Sequence, residues 1–217
     1  MKNEELIKLV EELKERVEKL ENPHLIHWAK VRPNAIIPTK RNEDAGFDLY
    51  ACFYEDLMII PPHKVILVPT GIASAFDNNI VVKLSERGST GTKQMAQRCG
   101  VIDSGFRGEI KAPISNLNDV PIIISKLVDE DGKPLPIDSL EKNLTCLTKN
   151  GECDTITRSR YEELINDEHA IIYPYTKAIT QGIAYFIPEI ISDEIPYDVL
   201  KEIPSERGTG MLGSSKK

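Results

Sequence analysis

The stretch Ser85-Glu86-Arg87-Gly88-Ser89-Thr90-Gly91 closes an apolar run with small, hydroxylic, glycine-spaced residues. Backbone N–H groups, hydroxyls and one guanidinium at that spacing suit the wrapping of a phosphate, although an ordinary polar turn has the same composition. A second stretch, Gly100-Val101-Ile102-Asp103-Ser104-Gly105-Phe106-Arg107-Gly108-Glu109, sets a carboxylate just past an apolar strand and an aromatic three residues on. That order predicts a tight hairpin displaying a base beside a ring; a hairpin with a helpful turn Asp reads the same. The third stretch, Arg207-Gly208-Thr209-Gly210-Met211-Leu212-Gly213-Ser214-Ser215, has the composition of an untethered terminus. Phosphate and water chemistry is what the three have in common, and none specifies it alone.

The elements that must position these residues are mainly short strands. Ala35–Pro38, Phe47–Ala51, Leu57–Ile60, Lys64–Val68, Gly71–Ala75, Ile80–Leu84, Ile110–Ile114 and Ile122–Ile124 are apolar runs separated by Pro-, Gly- and Asn-rich turns. Strands at this spacing, without helical periodicity between them, predict a sandwich or barrel and not an α/β sheet. Residues 125–170 break the rhythm as a surface insertion: Asp129–Pro134 reads as a turn, and Ser159-Arg160-Tyr161-Glu162 as a capping box opening a short helix through Ile165. Strand texture returns from Ile171 to Pro188.

The N-terminus has a different pattern. Leu6, Val10, Leu13, Val17 and Leu20 recur at alternating spacings of 4 and 3 among Glu and Lys, up to Asn22-Pro23. This is a heptad seam of about three repeats, too short to hold an isolated helix pair and better suited to clamping an assembly held elsewhere. An amphipathic helix lying on its own domain and an engineered fusion helix are the other readings. The predicted organisation is a coiled-coil helix over 1–22, a barrel in two parts over 23–124 and 171–200, the 125–170 insertion, and a tail over 201–217.

Composition excludes several classes. The 217 residues carry 34 acidic and 27 basic side chains, a net charge of −7, which speaks against a non-specific nucleic-acid coat but allows a phosphorylated ligand held by local cations. No apolar run approaches a membrane span of ~18 residues, and the first residues are no signal peptide. Four scattered cysteines suit a reducing compartment, so a cytoplasmic protein is expected. His24 and His27, or Cys146 and Cys153, have no complete zinc set around them. No Gly-x-Ser-x-Gly elbow or Walker loop occurs.

Taken in order, the stretches resemble the trimeric dUTP pyrophosphatases, the dUTPases. Ala45-Gly46-Phe47-Asp48-Leu49-Tyr50-Ala51 is similar to that family's first motif, A-G-Y-D-L, and Ser85–Thr90 stands at the second. Gly100–Glu109 matches the third, G-V-I-D-x-x-Y-R-G-E, at almost every position. Gly182-Ile183-Ala184-Tyr185-Phe186 stands at the fourth, and Arg207–Ser215 at the fifth. The departures are Gly88 for a phosphate-facing Ser, Gly182 for an Arg, Tyr185 for a Gln, Met211 for a Gly, and Leu212 for the Phe that closes over the base.

The resemblance implies an all-β, distorted jelly-roll barrel assembled as a homotrimer, each site drawing on three subunits. It implies hydrolysis of a pyrimidine deoxynucleoside triphosphate, dUTP first and dCTP, dTTP or a modified base as alternatives, to a monophosphate and pyrophosphate. In it Asp103 activates water, Phe106 lies under the deoxyribose, and the main chain at Gly100 and Ile102 reads the base with Tyr185 and Leu212 nearby. Arg87, Gly88, Ser89, Arg207, Gly213 and Ser214 face the phosphates. Mg²⁺ bridges the triphosphate and meets Asp48 through water. The related dCTP deaminases need a Glu five residues after the second Gly of the turn; from Gly108 that position is Pro113, and Thr92 stands where their second-motif Arg would be. A binding or regulatory protein of the same fold with little turnover is the alternative, with the insertion as its contact for a protein partner; no membrane or nucleic-acid partner is expected.

Overall fold

Alternation decides which face each strand buries. In Ile80–Ser85 the side chains of Ile80, Val82 and Leu84 point inward while Val81, Lys83 and Ser85 point out; Val65–Pro69 likewise buries Ile66 and Val68 and exposes Val65 and Leu67. The computed structural model describes residues 3–21, 24–147, 152–166 and 169–205. Its strands are β1 (Ile26–Lys30), β2 (Gly46–Tyr50), β3 (Leu57–Ile60), β4 (Val65–Pro69), β5 (Ile72–Phe76), β6 (Ile80–Ser85) and β7 (Met95–Gln97). They continue as β8 (Val101–Ile102), β9 (Lys111–Asn116), β10 (Ile122–Ser125), β11 (Asn143–Leu147), β12 (Cys153–Thr157), β13 (Ile171–Pro174) and β14 (Ala178–Phe186). The helices are α1 (Asn3–Glu21), α2 (Gly88–Gly91), α3 (Arg158–Ile165) and α4 (Tyr197–Glu202). The class is all-β.

Four sheets carry the strands, in the orders β1-β5, β12-β11-β3-β10-β13, β2-β14-β6-β8 and β4-β9-β7. One core gathers Phe53, Met58, Ile60, Val68, Met95, Ile114, Ile122 and Tyr173; a second, behind β2-β14-β6-β8, holds Leu49, Ile80, Val82, Leu84, Ile102 and Ile110. The second core sets the flatness and aim of the sheet from which the candidate site is built.

Three local readings change. Ala35–Pro38, expected as a strand, runs without ladder partners beside the isolated Thr39–Asp48 bridge. Pro33 and Pro38 withhold N–H groups a ladder would use. Helix α3 is capped by Thr157, whose Oγ1 accepts from the Arg160 amide at 3.2 Å, and not by Ser159; pairing of Thr157 with Asn143 holds the chain in strand up to that residue. The Asp103 segment is a β-turn, closed by the Phe106 N–H to the Asp103 carbonyl at 3.0 Å, and passes between two sheets: β8 pairs with β6, whereas β9 pairs with β4 and β7.

The insertion does more than decorate the surface. Its β11 lies parallel to β3 and adds β12 beyond it. Tyr161 of α3, Leu140, Leu144 and Cys146 form one buried cluster with Leu57 and Ile123. Residues 188–205 belong to a separate unit, in which α4 carries a Lys201–Asp198 ion pair at 2.7 Å.

Candidate active site

Three neighbouring strands align the first set of site residues. Asp48 of β2 stands opposite Gln181 of β14, which stands opposite Ser85 of β6, so all three project from one face. Beyond Ser85 the chain turns through α2, where the Arg87 amide donates to Thr90 Oγ1 at 3.0 Å and Thr90 Oγ1 donates back to the Arg87 carbonyl. That buried Thr90 sends the Arg87 side chain across the strands to Asp48. The guanidinium grips the carboxylate with both arms, Nε–Oδ1 at 2.8 Å and Nη2–Oδ2 at 3.0 Å. Its remaining nitrogen, Nη1, reaches Ser89 Oγ at 3.3 Å and the Ala178 carbonyl at 3.4 Å. Tyr173 backs the group from inside, its hydroxyl donating to the Ala178 carbonyl at 2.6 Å, and burial pushes its pKa up.

An open cleft of about 1030 Å³ lies over this row, lined by Asp48, Arg87, Gly88, Ser89, Gln181 and the loop Thr39–Gly46 among others. Its walls hold four cations, Lys40, Arg41, Arg87 and Lys177, against three carboxylates, Glu43, Asp44 and Asp48. Arg41 is spent on Asp44, at 2.9 and 3.0 Å, and hydrogen bonding from Arg41 lowers the pKa of Asp44. Lys40, Arg41 and Lys177 were not singled out in the sequence; Lys40-Arg41, a basic pair next to the first motif, was the available signal. Gln181 was also missed, because its neighbour Gly182 drew the fourth motif. Gln181 Nε2 donates to the Glu86 carbonyl at 2.7 Å and closes the cleft floor. Gly182 faces the core, where an added Cβ would lie 3.0 Å from Val82 Cγ1 and 3.4 Å from Leu49 Cδ1. An Arg there would have nowhere to go.

The second set lies elsewhere on the same sheet. Gly100 ends its loop at φ +109°, and a Cβ would sit 2.9 Å from Leu84 Cβ, so only glycine lets its carbonyl accept the Leu84 amide at 2.7 Å. Ile102 is buried, and after it Asp103 and Phe106 are exposed, the ring at 42%. The Asp103 carboxylate has no hydrogen-bond or ion-pair partner among the described residues. Two anchors fix this turn. Arg107 Nη1 donates to the carbonyls of Ser104, Phe106 (2.9 Å) and, on β5, Ser74 (3.4 Å). Glu109 accepts from the Gly71 amide at 2.9 Å and pairs with Arg32 at 3.0 and 3.2 Å.

Asp48 and Asp103 do not meet within the chain. Strands β2 and β8 are the two edges of their sheet. With ~4.8 Å between strands and ~3.3 Å per residue along them, Ile102 and Asp48 are roughly 17 Å apart. Tyr185, 48% exposed near the end of β14, lies outside the cleft lining, while Arg207, Leu212, Gly213 and Ser214 fall outside the described residues.

Comparison with known proteins matches residues 32–127 to the dUTPase family model. The deoxyuridine 5'-triphosphate nucleotidohydrolase of Leptospira interrogans (strain Fiocruz L1-130) is 35% identical over 99 residues, spanning 44% of this chain and 68% of that protein. The chain belongs to the dUTPase family. The Wolinella succinogenes enzyme of the same name is 38% identical over 96 residues, covering 42% of this dUTPase-family chain and 62% of its own length. Two solved structures share the fold: the dUTPase of Staphylococcus bacteriophage 80alpha with dUPNHPP (18% identity, TM-score 0.54, 89% of this chain and 99% of that one) and the dUTPase of phage phi11 of S. aureus (17%, 0.52, 79% and 96%).

No group of three acidic, His or Cys side chains converges among the described residues, so a cage made by the protein alone does not fit. Mg²⁺ commonly takes one or two carboxylates, several waters and substrate phosphates. Asp48, about one-third exposed on the cleft, fits that partial role, since each oxygen bound to Arg87 keeps a further lone pair.

Proposed function

We propose that this protein hydrolyses dUTP to dUMP and pyrophosphate. The observation that carries the reading is the exposed Asp103, without a partner among the described residues, on a turn matching the third dUTPase motif in a chain of that family. The Asp103 carboxylate takes a proton from a water as that water's oxygen forms a bond to the α-phosphorus. The bond from that phosphorus to the α,β-bridging oxygen breaks, and pyrophosphate leaves with the electron pair. Phe106 lies under the deoxyribose and leaves no space for a 2′-hydroxyl, while the main chain at Gly100 and Ile102 reads the uracil edge. Arg87, Ser89 and the Gly88 backbone hold the phosphates.

The separation of Asp103 from Asp48 supports a site completed by further copies of the chain. A homotrimer in which one subunit gives the Asp103 turn, a second the Arg87 cleft and a third its tail brings both sets to one substrate. Four wall cations against three carboxylates leave little net positive charge for a triphosphate. That balance supports recruitment of Arg207 from the tail. Mg²⁺ held through water by Asp48 would offset charge on the phosphate oxygens. A reducing, cytoplasmic setting accords with the free thiols of Cys52, Cys99, Cys146 and Cys153. No helix among the described residues is long and apolar enough to cross a membrane.

The test is pyrophosphate release from dUTP, dCTP, dTTP and UTP, alongside Asp103→Asn. Fast release from dUTP alone is expected, with a loss of at least about a thousandfold in kcat and retained nucleotide binding in the variant. Tight dUTP binding without pyrophosphate release would establish a binding protein instead, and Asp103→Asn within about tenfold of the parent would remove Asp103 from the base role.

A further inference from the structure

The described side chains of helix α1 are all exposed. Its seam residues Leu6, Val10, Leu13 and Val17 are 43–49% exposed, and Ile7 and Leu9 beside them are 58% and 43% exposed. A stripe of six large apolar side chains left in water along a 19-residue helix is a face that a partner would cover. In heptad terms Val10 and Val17 occupy a and Leu6 and Leu13 occupy d, so the stripe is complementary to a second copy of itself. Glu5, Glu11, Glu12 and Glu15 hold the opposite, acidic face in solvent.

We infer that α1 packs in parallel and in register against α1 of two other copies, forming a three-helix bundle at one end of the molecule. Val at a and Leu at d by themselves favour two strands. Ile7 at e and Leu9 at g widen the apolar stripe beyond what a two-stranded seam covers, which leaves room for a third helix. The stem of Lys14, the next e position, lies over Leu9 of a neighbour with its ammonium in water. Parallel direction and the number three rest on the trimeric reading proposed above, because three barrels joined at the C-terminal ends of their helices must start on one side.

The test uses the full chain with Cys99→Ser and Cys153→Ser, which leaves the buried Cys52 and Cys146, plus one new thiol at a time: Leu13→Cys at d, Val10→Cys at a, or Glu11→Cys on the outer face. A trifunctional maleimide should capture covalent trimers from Leu13→Cys and Val10→Cys. Capture should be about tenfold or more faster than from Glu11→Cys, as expected for thiols held at millimolar effective concentration. Equal capture from Glu11→Cys, or none from both seam variants, overturns the bundle, and dimers without trimers overturn the number three. Light scattering on the chain lacking residues 1–22 separates the two readings. A trimer there with no seam capture in the full chain refutes only the bundle, and a monomer there with seam capture refutes the barrel trimer.

Discussion

Gly108→Ala is the sharpest probe of the proposed sugar filter, because the three atoms nearest its new Cβ all belong to the Phe106 ring. A Cβ on residue 108 would lie 2.8 Å from Phe106 Cζ and 3.1 Å from Cε2. Carbon–carbon contacts settle near ~3.5–4.0 Å, so the ring must withdraw by about 1 Å. At 42% exposure the ring is free to swing outward, and the cost to folding should stay below about 1 kcal/mol, a shift in Tm of a few degrees. Catalysis is less forgiving: misplacement by about 1 Å near the reacting centre costs up to ~10²-fold. Steady-state assays should show kcat/KM for dUTP reduced ten- to about a hundredfold and the preference for dUTP over UTP narrowed. Gly105→Ala is the matched control, on the same turn with nothing within 4 Å of the new methyl, and should be nearly neutral. The reasoning is refuted if Gly108→Ala keeps its dUTP/UTP ratio within about twofold, or if Gly105→Ala loses as much.

Other outcomes follow from single contacts. Arg107→Ala should lower kcat by about tenfold or more with a smaller change in KM, since it frees the turn bearing Asp103 without touching the phosphate cleft; partial recovery on adding guanidine would tie the loss to the missing guanidinium. Gly88→Ser should fold normally, because nothing lies within 4 Å of its new Cβ, and should lower KM for dUTP by placing a hydroxyl in the cleft; unchanged KM would mean that position 88 does not face the phosphates. Tyr161→Ala should cost about 3–5 kcal/mol in urea unfolding, whereas Tyr161→Phe, losing only a long 3.5 Å contact to Ser125, should cost under about 1 kcal/mol. Burial pushes the Cys146 thiol from 9.0 up to about 11 and also raises Tyr161, Tyr173 and Tyr175. Each group is neutral longer in the folded chain, so for Cys146 stability should be full below pH 9.0 and fall as pH climbs towards about 11, read as a declining Tm. A flat Tm across that interval would contradict the burial.

What short-range chemistry specifies was legible in the order of the residues. Apolar runs bounded by Pro, Gly and Asn located most strands, and the first motif around Asp48 with the order of Asp103, Phe106, Arg107 and Glu109 in the third carried the resemblance to the family. The order of the residues did not tell which stretches would be neighbours. Alternation shows which face of a strand is apolar but not which strand lies beside it, so the parallel pairing of β11 with β3, and with it the burial of Leu57 and Ile123 under the insertion, appeared only in three dimensions. The same holds for the candidate site. Gln181 and Lys177 have no motif and belong to the cleft through cross-strand register and a loop, while Tyr185, named by its motif, lies outside the cleft lining. The roughly 17 Å between Ile102, which leads into the Asp103 turn, and Asp48 is likewise a property of strand order, β2-β14-β6-β8, which non-local packing decides because each strand is placed by the core it must cover and not by its neighbours in the chain.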